Sequence, residues 1–271
     1  MVASGFDGLL RGLWRQRGLI ARLVRREFEA RYRGSFLGLA WAALSPLALV
    51  LVYAFVFHAV LAVRWPGAAA AGATTYALNL FVGLLAFNLL AEVLGRAPRL
   101  ILENPGYVKK VVFPLEILPL VAVASAALAA AIGGGVLVAL HLALGGMPHL
   151  AWGLAPMLAL PLLLWSLALA YLLAALGVFL RDIAQLTGPL TMALLFLSPV
   201  FYPASQVPPP WGHWLALSPL SAGIEWLRGA ILLGTGPDPG LYAAHLGVSL
   251  LALAAGAFVF ARLARGFADV I

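Results

Sequence analysis

The 271-residue sequence predicts an all-α polytopic membrane protein with six transmembrane helices. Three observations carry that prediction. Hydrophobic residues make up 63% of the chain and charged residues only 10%, against roughly 45–50% and about 25% in soluble domains. The mean hydropathy is +1.01. Once the apolar runs are drawn, the 17 basic residues fall almost entirely on one side of them. Polar surface is too scarce to cover a 28.5 kDa fold in water, so lipid must be the solvent for most of the chain.

Residues 1–35 form a separate cytoplasmic segment. They hold eight arginines (Arg11, Arg15, Arg17, Arg22, Arg25, Arg26, Arg31 and Arg33), three acids and no apolar run long enough to cross a bilayer. The short apolar core and small-residue cleavage site of a signal peptide are missing, so this segment is expected to be retained. Within it Ile20, Val24, Phe28 and Tyr32 recur every four residues, flanked by Leu19 and Leu23. Arg22, Arg25, Arg26, Glu29 and Arg33 take the other faces, which predicts an amphipathic helix lying along the membrane interface.

Residues 36–271 form the transmembrane domain, with runs of spanning length at 36–62, 73–95, 115–144, 152–180, 186–203 and 241–261. With the N-terminus inside, fifteen basic residues lie in the cytoplasm: the first eight, then Arg96, Arg99, Lys109, Lys110, Arg181, Arg262 and Arg265. Only Arg64 and Arg228 are left outside, so both termini are expected to be cytoplasmic. This distribution accounts for the net charge of +7 without a nucleic-acid partner.

Residues 204–240, before the last span, are no ordinary loop. Pro208, Pro209 and Pro210 break the backbone, and Trp211, Trp214, Leu215, Leu217, Leu220, Ile224, Trp226 and Leu227 then resume an apolar pattern around Ser218-Pro219. A re-entrant helical hairpin dipping into the outer leaflet fits, and irregular backbone at that depth should line protein or a watery cavity. The alternative is an amphipathic loop anchored on the surface by its tryptophans.

Several chemistries are excluded. Cysteine is absent, which removes disulfides, thiolate metal sites and a cysteine nucleophile. No GxxxxGK[ST] cradle occurs, and the only two lysines lie in NPGYVKKVV with no glycine-rich turn before a helix, so the chain should not hydrolyse ATP. The five histidines, His58, His141, His149, His213 and His245, lack metal-ligand spacing, and GxSxG and HExxH are missing. Glu92, Glu116, Arg181, Asp182, Glu225 and Arg228 sit at span ends or on the hairpin rather than at a midplane relay. The chain is therefore expected to be no enzyme and to take its energy from another polypeptide.

Four segments together resemble the ABC-2 type permeases that export polysaccharides and polyol phosphates. They are RREFEARYRGSFLGLAWAALSPLALVLVYAFVF (25–57), ENPGYVKKVVFPLEILPL (103–120), RDIAQLTGPLTMALLFLSPVFYP (181–203) and LSPLSAGIEWLRGAIL (217–232). The likeness runs over nearly the whole chain in order. It implies the membrane half of an O-antigen, capsule or teichoic acid exporter in the bacterial cytoplasmic (inner) membrane. Such a permease works as a homodimer with two copies of an ABC ATPase; ATP and Mg belong to that partner, with no cofactor on this chain.

The resemblance also implies roles for particular residues. Arg25 and Arg26 of the interfacial helix, with Arg96, Arg99, Glu103, Asn104, Lys109 and Lys110 of the loop 96–114, would couple to the ATPase. Asn104-Pro105-Gly106 is turn chemistry beside these residues, a short helix is expected over 96–104, and Leu100, Ile101, Val108 and Val111 would be costly in water, which favours a docked loop. Arg31 and Arg33 would face a substrate headgroup or lipid phosphates; plain positive-inside anchoring is the alternative. Gly34 and Gly38 relieve the turn into span one. Rings for a sugar channel between two permease copies are Trp41, Tyr53, Phe57, Phe87, Phe196, Phe201 and Tyr202, unless they pack or face lipid. Pro199 and Pro203 interrupt span five, and with Trp211, Trp214, Glu225 and Arg228 they would form the external gate. The substrate is then a lipid-linked glycan. An ABC-2 permease for a drug or lipid shares the scaffold, whereas a proton-coupled secondary transporter or a membrane-embedded glycosyltransferase would want clustered acids that the sequence does not offer.

Overall fold

A computed structural model of the chain describes residues 12, 14–60, 62, 65, 72–109 and 113–271. Lys110 and Arg64, both used in the charge pattern, lie outside the described residues, as do Arg11 and Val111. No strand occurs among the described residues. The expected amphipathic helix is α1, Arg17–Tyr32, which buries Leu23 and Phe28. Leu23 packs on Ile117 and Val121, with Leu19, Ile20 and Val24 around it, so part of the apolar stripe meets protein. After α1, Gly34 and Gly38 adopt left-handed φ values of 85° and 50°, which a side chain would disfavour, and the chain is redirected.

Four helices are long and apolar enough to cross a membrane: Ala73–Arg99, Ile117–Ala143, Leu150–Phe179 and Pro239–Val270. The first is built on α3, Gly72–Arg96, and the second is α4, Ile117–Ala143. In the third a tight turn, Leu150–Leu154, leads through the single turn Ala155–Leu158 to α5, Leu160–Phe179. The fourth contains α9, Pro239–Leu263.

The first and fifth expected runs are shorter helices than the sequence predicts. In the first, α2 covers Trp41–Ala54, carries Pro46 inside it and passes into a wide π turn at Phe55–Val60. In the fifth, α6 covers Ile183–Leu197, fifteen residues, and stops where Ser198 turns extended ahead of Pro199. Next come α7, Trp211–Leu217, and α8, Pro219–Arg228. The two halves of this hairpin differ: α8 buries Pro219 through Ile224, Trp226 and Arg228, while Trp211 and Trp214 of α7 are exposed.

The centre of the bundle is α3. Its Tyr76, Leu80 and Phe81 are fully buried and cluster with Val50 of α2, Leu137 of α4, Leu162 of α5, Val200 and Phe201 after α6, and Leu220 and Ile224 of α8. A second cluster joins α5 and α9 through Ala168, Ala174, Ala175 and Ala257. Small residues suit such a seam, because helices in lipid gain little from water exclusion and rely on close van der Waals approach.

Candidate functional site

Two polar clusters stand out, one at each end of α3. At the end carrying most of the basic residues, Arg31 of α1 faces Glu92 of α3. Its Nη1 donates to Glu92 Oε2 at 2.7 Å, while Nη2 donates to Glu92 Oε1 and, at 3.2 Å, to Ser125 Oγ of α4. The fork geometry is the strong form of an arginine–carboxylate pair. Burial opposes the charge on Arg31, but the hydrogen bond and negative charge of Glu92 outweigh it and hold the guanidinium above its ordinary value. One turn further along α3, Arg96 pairs with Glu27 of α1 at 2.6 Å and with Glu92 at 3.6 Å. Two arginines and two glutamates therefore tie α1 to α3, around a cleft of ≈ 490 Å³. Arg33, just past the end of α1, is exposed.

The loop after α3 is anchored to the same end. A tight turn at Ala97–Arg99 and a one-turn helix at Pro105–Val108 replace the short helix expected over 96–104. Asn104 Nδ2 donates to the Leu100 carbonyl at 2.9 Å. Arg26 Nη2 donates to Tyr107 Oη at 3.1 Å, and the Tyr107 ring stacks on Phe113 at 4.2 Å. Leu100 and Ile101 are buried with Tyr171 and Ala174 of α5. Their apolar surface is thus covered by the chain's own core, and it does not by itself call for a docking partner. Arg99 and Glu103 stay exposed and, with Arg181 and Gln185, line a groove of ≈ 280 Å³. Lys109 is exposed, as is Arg25, whose hydrogen bond to Glu29 raises its guanidinium pKa.

The aromatic residues separate into two groups. Phe201 is buried, with Phe57 stacked on it at 4.4 Å and Tyr53 edge-on at 5.3 Å. Phe87 is also a core residue. Trp41 and Phe196 are open at the surface of the protomer, and Tyr202 Oη donates to the Phe196 carbonyl at 3.0 Å.

At the opposite end of α3 the chain leaves α6 through Ser198, Pro199, Val200 and Phe201 in a non-helical path to Pro203. Arg228 of α8, only 3% exposed, reaches this path. Its Nη1 donates to the Pro199 carbonyl at 2.6 Å and to Glu225 Oε1 at 2.9 Å; Nη2 donates to the Val200 carbonyl at 2.8 Å, and Nε to the Asn79 carbonyl of α3 at 3.0 Å. Trp65 covers the guanidinium at 4.5 Å. Tyr76 Oη donates to the Phe201 carbonyl at 3.1 Å, and Glu225 Oε1 accepts from the Ala204 amide at 3.5 Å.

Sequence reasoning singled out Arg26, Arg31, Arg96 and Arg228 but not their long-range partners Tyr107, Ser125, Glu27 and Asn79. The visible signals were local, the Glu92/Arg96 spacing of four and the Glu225/Arg228 spacing of three. Residues 18–232, from the start of α1 through the hairpin, match the family described as ABC-2 type transporter. The chain belongs to that family. An O-antigen export system permease protein RfbA of Myxococcus xanthus is 31% identical over 265 residues, covering 97% of this chain and 99% of the relative. Two Klebsiella pneumoniae proteins of the same description are each 24% identical. One aligns over 219 residues, 80% of this chain and 81% of its own; the other over 208 residues, 76% and 77%. As an ABC-2 family member with four long apolar helices, the chain is a multi-pass membrane permease.

Proposed function

We propose that this ABC-2 chain is the permease subunit of an exporter that moves a lipid-linked polysaccharide of the O-antigen type across the bacterial cytoplasmic membrane. The observation that carries this reading is the end-to-end match to an O-antigen export permease, 97% of this chain against 99% of the relative. In it, α2 and α6 join the four longer helices as six spans, both termini face the cytoplasm, and the hairpin of α7 and α8 re-enters the outer leaflet. Two copies surround a channel, and two ATPase subunits, which hold ATP and Mg, bind at α1 and the 96–114 loop. Each part has a physical task. A charged glycan cannot cross hydrocarbon unshielded, so the channel must supply polar groups and ring faces while the lipid tail stays in the bilayer. Trp41 and Phe196, open on the protomer surface, are the rings best placed to meet sugar; Tyr53, Phe57 and Tyr202 are partly buried against the core. The paired charges of Arg31, Arg96, Glu27 and Glu92 pass a push on α1 into α3.

The experiment is complementation. In a strain lacking the gene, undecorated cells should accumulate lipid-linked glycan inside, and the chain together with its ATPase should restore surface glycan. Restoration by an ATPase whose phosphate-binding lysine is replaced would overturn the coupling. Normal surface glycan in the deletion strain would overturn the substrate.

A further inference from the structure

The break after α6 creates a specific problem. Between Ser198 and Pro203 the backbone is non-helical, so the carbonyls of Pro199, Val200 and Phe201 lose their helical partners inside a buried part of the protein. Each such acceptor must find a donor or carry a desolvation cost. All three find one from a side chain of another element: two from Arg228 of α8 and one from Tyr76 of α3. The same guanidinium also donates to Asn79 of α3. We infer that Arg228 is a positioning residue which latches the broken end of α6 to α3, so that the external gate and α3 move as one piece. In naming that segment a gate, the inference rests on the proposed function.

The chemistry suits arginine alone. Three carbonyls and a carboxylate approach from different directions, and only a planar fork of five donors serves them together; a lysine ammonium has three donors at a single point. A cation this buried also needs a counter-charge, which Glu225 supplies from one turn back in α8 at 2.9 Å. Trp65 closes the face of the fork. Gly83 of α3 makes room for it: a Cβ there would lie 2.8 Å from Arg228 Nη2 and 3.2 Å from Val200 Cα and O. The fit of α3 against the latch thus depends on a position with no side chain. At the other end of α3, about 20 Å away at helical rise, Glu92 and Arg96 are held by α1. A force on α1 has a continuous route to the gate through the most buried long helix of the bundle, 72% covered.

The absence of cysteine makes a direct test available. Ala204→Cys places a single thiol beside the latch, and Leu150→Cys, at a 99% exposed site on the turn before α5, serves as control. The full-length chain, reconstituted in lipid nanodiscs with both faces open, is labelled with a water-soluble maleimide. Adding Arg228→Gln should speed labelling at position 204 about tenfold or more, since each charge-assisted hydrogen bond carries at least that factor in an opening equilibrium. Labelling at position 150 should not change. Arg228→Lys should fall between, and Gly83→Ala should act in the same direction. If Arg228→Gln cannot be recovered from membranes, Gly83→Ala decides. An unchanged rate at position 204 overturns the latch, and so does equal acceleration at both positions, which would mean general loosening. No export is measured, so this outcome and that of the complementation fail independently.

Discussion

The two ends of α3 use arginine in opposite ways. At the α1 end, Arg31 and Arg96 meet carboxylates, and the four side chains remain 22–36% exposed. Glu92 serves both arginines, so one pair can loosen while the other holds. At the far end Arg228 is almost fully buried and gives three of its four hydrogen bonds to backbone carbonyls. Side chains can exchange partners at little cost when water and alternative charges are near. Backbone acceptors have no alternative position, so that contact is either made or lost. The contrast makes the first end suited to receiving a graded push and the second to holding a fixed geometry.

The largest effect that would break this contrast is at Arg228. Arg228→Met keeps volume but orphans the Pro199 and Val200 carbonyls, at about 1–3 kcal/mol for each. The purified chain should lose several degrees of Tm, and Glu225→Gln, which removes the counter-charge of the buried guanidinium but keeps every carbonyl capped, should also lose Tm but by fewer degrees. Equal losses would mean that the ion pair, not the backbone capping, holds the site. Smaller effects sharpen the other end. A double-mutant cycle of Arg31→Ala and Glu92→Ala should give a coupling energy of about 1 kcal/mol or more, as expected for a forked, half-buried pair. Raising salt should shrink that coupling while leaving the Arg228→Met loss unchanged. Smallest of all, Arg25→Ala removes a surface pair with Glu29, and its Tm should match that of the parent chain.

Hydropathy made the long helices legible. The runs 73–95, 115–144 and 241–261 became Gly72–Arg96, Ile117–Ala143 and Pro239–Leu263. It was less informative about where a helix changes or stops, since apolar composition continues through Phe55–Val60 and past Ser198-Pro199 although the regular α geometry does not. Nor could it say what an apolar residue touches. Leu100 and Ile101 read as surface awaiting a partner, yet they turn inward onto α5. The polar partners were hidden for a similar reason: Arg31 and Glu92 are 61 residues apart and Arg228 and Asn79 are 149 apart, and local periodicity carries no information at those separations.

The shortness of α6 has a consequence for the lipid. Fifteen residues rise about 22 Å, against a hydrocarbon thickness of about 30 Å. Within α6 only Thr187 is buried, so in the proposed six-span assembly much of its surface is left for lipid, apart from the side that carries Phe196. In that assembly hydrophobic mismatch would pinch the two leaflets together along the lipid-facing flank of this helix, leaving a dimple where the proposed lipid-borne cargo would enter. Reconstitution in bilayers of increasing acyl-chain length should slow export steeply, with the stoichiometry of the assembled complex unaltered.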